Sequence, residues 1–113
     1  WIIGGRMRPG KSFEQAAARN IKRELGLRIS PKRFSVLGPY SFAWAMRRQF
    51  PAENGCHMQS TTMILNITDS EMALIRPNNE YEEISWRNPT LVAKDQSLLR
   101  PLRQYARNIL AQR

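Results

Sequence analysis

The stretch over residues 4–27, GGRMRPGKSFEQAAARNIKRELGL, constrains the fold more than any other part of the chain. It reads as a turn rich in Gly and Pro that runs straight into one amphipathic helix over residues 13–25. Gly4 and Gly5 let a backbone turn approach a ligand closely. Ser12 is a good N-cap, and Gln15 three positions later completes a capping box. Gly26 is a natural helix stop. Phe13, Ala17, Ile21 and Leu25 recur every four residues and define the expected buried stripe. Asn20, Arg23 and Glu24 share a face beside that stripe. Glu24 is then a carboxylate at the margin of an apolar face, set among many cations.

The remaining elements follow from local signals. Residues 1–3 read as the end of a strand entering the glycine turn. Pro31 disfavours helix at Ser30 and marks a connection. Residues 34–49 are rich in aromatic and aliphatic side chains (Phe34, Val36, Leu37, Tyr40, Phe42, Trp44) and predict a strand, interrupted near Gly38-Pro39. Residues 50–57 carry Pro51, Asn54 and Gly55 and read as a loop. Residues 58–68 are β-branched and predict a second strand, which closes a hairpin. Residues 70–75 predict a short helix or turn, 76–79 a loop and 80–86 a strand. Asp95 suits the cap of a turn over 96–99. A closing helix starts at Pro101, with Leu102, Tyr105, Ile109 and Leu110 toward the core and Arg103 and Arg107 toward water. Helix, strands and a packing helix predict one α+β domain over residues 1–113.

Charge narrows the partner. The 18 Lys and Arg outnumber the 9 Asp and Glu, giving +9. Such a balance favours an anion: a nucleotide, a nucleic acid or another polyphosphate. A solubilising surface is the plainer alternative. Short clusters stand at Lys22-Arg23, Lys32-Arg33 and Arg47-Arg48. The single cysteine, Cys56, excludes an internal disulfide framework and suits a reducing compartment, so the expected location is cytoplasmic. No stretch approaches the roughly 20 apolar residues of a membrane-spanning helix.

Residues 4–27 resemble the Nudix box, G-x5-E-x7-R-E-U-x-E-E-x-G-U with U a bulky aliphatic. In register from Gly5, the positions that agree are Gly5, Arg19, Ile21, Glu24, Gly26 and Leu27. Lys11, Asn20 and Arg23 stand where the box has Glu. The resemblance implies an α/β/α sandwich with a mixed sheet. In that fold strands precede the box, and they are expected to be missing here. It also implies metal-assisted attack on a nucleoside diphosphate linked to another group, with Mg²⁺ or Mn²⁺ as cofactor. The metal roles fall on Glu24 and the Gly4 carbonyl, with a second carboxylate from Glu80, Glu82 or Glu83. A plain ion pair of Glu24 with Arg19, Arg23 or Arg28 is the alternative.

The chain is most similar in pattern to the GDP-mannose mannosyl hydrolase branch of that family, whose box is also depleted. It shares GGR at the start of the box, ELGLR at its end, and a Pro–polar–carboxylate–Trp arrangement over 77–86. This implies Glu80 at a metal-ligand position and Tyr81 at the position of the branch's general base. It implies Arg6 and Arg19 as catalytic arginines that stabilise the leaving diphosphate. Arg6, Lys11 and Arg23 are the candidate substrate-binding cations. His57 and Cys56 in the hairpin loop read as ordinary surface residues. Tyr40, Phe42 and Trp44 could stack on a base, although aromatic residues at strand spacing are more often core. Three functions remain open: a hydrolase of a nucleoside diphosphate sugar, a catalytically silent nucleotide binder, and a basic nucleic-acid module. A homodimer is compatible with each.

Overall fold

A computed structural model describes residues 2–46 and 50–112. Ile2 and Ile3 of the expected strand end form no strand, and Trp1 and the Arg47-Arg48 pair lie outside the described residues. Among them, the elements in chain order are α1 (Phe13–Leu25), a 3₁₀ turn (Pro31–Arg33), β1 (Ser35–Trp44), a second 3₁₀ turn (Ala52–Asn54), β2 (Cys56–Ile64), α2 (Asp69–Ala73), α3 (Pro89–Lys94) and α4 (Arg100–Ala111). The architecture is α+β, as the sequence predicts. The described sheet is the antiparallel β1–β2 pair, in register from Ser35↔Ile64 to Trp44↔Cys56 with an irregularity between Val36 and Gly38.

The ends of α1 are built as the sequence dictates. The Ser12 hydroxyl accepts the Gln15 N–H at 3.1 Å, and the Gln15 side chain accepts the Ser12 N–H at 3.0 Å. Gly26 closes the helix in the left-handed region, at φ 72°, where a residue with a Cβ would be strained. The chain then runs extended through Leu27 and Ile29. With Leu25 these form the buried core, and Ile3, Ile21, Phe34, Leu65, Ile75 and Ile84 pack on it. Burying an aliphatic side chain of this size stabilises by about 1.5–3 kcal/mol.

A second apolar centre joins α4 to the hairpin. The Tyr105 ring meets Tyr40 edge-on at 4.7 Å and Phe42 at 6.0 Å between centroids. Asn108 donates to the Tyr40 hydroxyl. These strand aromatics are therefore packed as core. Arg33 pairs with Glu71 and donates to the Asn66 carbonyl at 2.8 Å, tying the first 3₁₀ turn to α2.

Four further expectations are corrected. Phe13 is 46% exposed; the face of α1 that packs inward is rotated toward Ala16, Asn20 and Glu24. Residues 80–86 form no strand, because the segment before them is bonded to the end of α1, as described below. His57 is in β2, where its Nε2 lies 2.6 Å from Ser41 Oγ, and so it is not a loop residue. Residues 89–94 form a helix that the sequence reading passes over. Asn88 caps that helix through Thr90 N–H, and Pro89 stands at its first position.

Candidate active site

The last carbonyls of α1 have no partner within the helix and must find one elsewhere. Residues 76–78 supply it. Arg76 N–H donates to the Leu25 carbonyl at 2.8 Å and Asn78 N–H to the Glu24 carbonyl at 2.9 Å. The Asn78 amide adds a bond to the Arg23 carbonyl at 3.4 Å. Its own Oδ1 accepts the Glu80 N–H at 3.1 Å. Asn78 thus fastens the loop to the helix end and positions Glu80 and Tyr81, two and three residues on, near Glu24.

The Glu24 side chain is 3% exposed. Its Oε2 accepts the Gly4 N–H at 3.2 Å, so the glycine turn lies directly on it. The Glu80 carboxyl and the Tyr81 hydroxyl are the neighbours whose polar groups act on the Glu24 carboxyl together with Arg23. Burial pushes the Glu24 pKa up, and its contact with Glu80 raises it further, against the opposing bond from Tyr81 and the charge of Arg23. Burial and the neighbouring Glu24 carboxylate push Tyr81 up to about 12. Tyr81 is therefore a protonated donor at neutral pH. Glu80, Glu82 and Glu83 are all exposed, and of the three it is Glu80 that acts on Glu24.

Arg23 completes this cluster. Its Nη2 donates to the Gly4 carbonyl at 3.2 Å and lies 3.4 Å from Glu24 Oε1. The remaining α1 polar residue on this side is Asn20, which is 5% exposed. Its Oδ1 is buried without a hydrogen-bond partner among the described residues. Asn20 faces Gly5 so closely that a Cβ there would lie 2.6 Å from Oδ1 and 3.0 Å from Arg23 Nη2. The sequence reading does not single out Asn78 or the burial of Asn20; the RPNNE stretch signals a turn but not what the turn holds.

Arg6, Lys11 and Arg19 lie around the other side of the glycine turn. The Arg19 guanidinium donates to the Arg6 carbonyl. Lys11, Arg8 and Arg19 share a cleft of ≈ 230 Å³ with Gln15, Ala16 and Pro31. A second cleft of ≈ 450 Å³ is lined by Ala18, Arg19, Lys22, Arg28, Ile29 and Ser30. Arg19 belongs to both, and neither is lined by a carboxylate. Arg19 and Arg23 are one helical turn apart, so a row of cations leads from these clefts to the Glu24 cluster.

A family model for the NUDIX domain matches residues 2–112. The chain belongs to the Nudix family. No curated protein matches it at a significant level. Nudix-family proteins bind nucleotide-containing substrates, and Nudix hydrolases generally use a divalent metal such as Mg²⁺ or Mn²⁺. Hard divalent cations take oxygen ligands. Among the described residues no group of three or more His, Cys, Asp and Glu could hold a metal ion. The oxygens around Glu24 are the Glu80 carboxyl, which acts on it, and the Gly4 carbonyl, which shares Arg23 Nη2 with it; Asn20 Oδ1 is an unpartnered buried oxygen on the same helix. Carboxyl and carbonyl oxygens are the donor type that such cations take. No helix among the described residues is long and apolar enough to cross a membrane.

Proposed function

We propose that this Nudix protein is a metal-assisted hydrolase of a nucleoside diphosphate linked to another group, with nucleoside diphosphate sugars as the substrate class. One observation carries the proposal: Glu24 is almost fully buried, yet bonded by the glycine turn and faced by Glu80. A buried carboxyl set against a second carboxyl has only the half-exposed Arg23 guanidinium to balance it, and carboxyls crowded in this way mark functional sites.

On this reading Glu24, Glu80 and the Gly4 carbonyl would hold the metal. When bound, the ion neutralises phosphate charge and activates the attacking group. Tyr81 acts as a donor that fixes the Glu24 carboxylate, since a phenol near pKa 12 is not a base at neutral pH. Arg6 and Arg19 stabilise the departing diphosphate, and Lys11 with Arg23 guides the anion in. The similarity to the mannosyl hydrolase branch rests on the sequence pattern around the box and over residues 77–86.

Arg23, seated on the Glu24 carboxylate, favours a second reading, a nucleotide binder without turnover. A hydrolysis screen over nucleoside diphosphate sugars with Mg²⁺ and Mn²⁺ separates the two. Metal-dependent release of sugar or nucleotide supports the hydrolase. Binding without release over the whole panel supports the binder and overturns the first reading.

A further inference from the structure

Resting on that reading, we propose that the Arg23 guanidinium is the resident cation of the Glu24 site and competes with a divalent metal for the same oxygens. The Gly4 carbonyl and Glu24 Oε1 both face one nitrogen, Arg23 Nη2, at 3.2 and 3.4 Å. These are two of the oxygens that would ligate a metal. An ammonium or guanidinium and a divalent ion cannot share a carboxylate oxygen and a carbonyl without strong like-charge repulsion. Metal entry therefore requires Arg23 to leave.

Arg23 is able to leave. Its side chain is 47% exposed, and the one-turn spacing puts it beside Arg19 and the cationic clefts. An incoming diphosphate offers it a better partner, because a guanidinium binds phosphate oxygens in a two-pronged geometry that two long contacts through one nitrogen, at 3.2 and 3.4 Å, do not provide. The substrate's phosphates then draw Arg23 off Glu24 and open the donor set. Substrate and metal are thereby coupled: each binds more tightly when the other is present. A site of this kind stays metal-poor until an anionic substrate arrives. The Glu that the family box carries at this position would instead add a carboxylate and remove the competitor.

The test is Mn²⁺ affinity without nucleotide, by calorimetry or by the electron paramagnetic resonance of free Mn²⁺. It compares wild type, Arg23→Ala, Arg23→Gln and Arg23→Lys, each first checked for cooperative melting. Ala and Gln are expected to bind Mn²⁺ on the order of tenfold more tightly than wild type, inside the roughly 5- to 150-fold range of coupled sites. Lys keeps the charge and is expected to stay close to wild type. Gln carries the test if Ala does not fold. Measurable Mn²⁺ binding that is equal in wild type, Ala and Gln overturns this inference alone. No Mn²⁺ binding by any variant overturns both the inference and the metal-assisted reading beneath it.

Discussion

Replacing Gly5 by Ala is expected to destabilise the protein, whereas replacing its neighbour Gly4 is not. Neither glycine has a positive φ, so backbone strain does not enter. The difference is space. A Cβ at Gly5 would lie 2.6 Å from Asn20 Oδ1, 3.1 Å from Asn20 Cγ and 3.0 Å from Arg23 Nη2. The Arg23 terminus can swing aside, but Asn20 is buried and must push its helix or the turn away. Overpacking of this kind costs about 1–3 kcal/mol. The smaller conformational freedom of Ala in the unfolded chain returns about 0.4–1 kcal/mol. At mid-range the net cost is about 1 kcal/mol. At Gly4 nothing lies within 4 Å of the added carbon, so only the stabilising contribution of about 0.4–1 kcal/mol remains.

Urea unfolding of both variants measures this directly, and a melting shift of about 4 °C per kcal/mol gives a second reading. Asn20→Ala removes the obstructing amide. The Gly5→Ala, Asn20→Ala double variant is therefore expected to recover about 1 kcal/mol relative to additivity. Equal stability of the Gly4 and Gly5 variants, or strict additivity of the double variant, would refute the close approach of turn and helix.

Three further outcomes follow. Glu80→Gln removes the carboxylate that faces Glu24, so the Glu24 pKa should fall toward the ordinary carboxyl range; a ¹³C-detected carboxyl titration that shows no movement would contradict their contact. Asn78→Ala removes the amide bonds to the Arg23 carbonyl and the Glu80 N–H while leaving its own backbone bond, and should cost about 1 kcal/mol in urea unfolding, with a cost near zero counting against Asn78 as the fastening residue. Glu71 is held down to about 2 by Arg33 and by Thr68, from an ordinary 4.5, so its ionised form is favoured in the folded state: the stability it adds is present above pH 4.5 and is lost as pH falls toward 2. Acid unfolding of Glu71→Gln should be flatter across that window, and an unchanged acid limb would remove Glu71 from the account. Glu24, shifted the other way, contributes in the opposite sense, favouring the fold below pH 4.5 and losing that contribution as pH rises.

The ends of α1 were legible because their signals are local. Ser12, Gln15 and Gly26 each act on backbone groups within a few residues. The hairpin was legible from its β-branched and aromatic runs. Which face of α1 turns inward was not, because that depends on residues far away in sequence. Periodicity ranks Phe13 above Asn20 as a core residue, but the glycine turn and residues 76–81 cover the Asn20–Glu24 face instead. The reason for a glycine at position 5 was also hidden: it is the nearness of Asn20, not a special φ. The pairing of Glu24 with Glu80 came from a family pattern, while its physical cause, Asn78 satisfying the open carbonyls of the helix, shows only in three dimensions. Arg23 reads in sequence as a misplaced cation; its position on two prospective metal-ligand oxygens is a fact of geometry alone.

The central claim is that Glu24 is the carboxylate on which hydrolysis depends. The most direct measurement is the rate at which wild type and Glu24→Gln release product from a nucleoside diphosphate sugar at saturating Mg²⁺. Glu24→Gln keeps the volume and one oxygen to accept the Gly4 N–H, so the fold should survive. Loss of a metal-binding carboxylate removes several kcal/mol of transition-state stabilisation, on the order of a 100-fold or greater fall in rate. The account predicts turnover by wild type and that fall in a folded Glu24→Gln protein; equal rates in the two would contradict it.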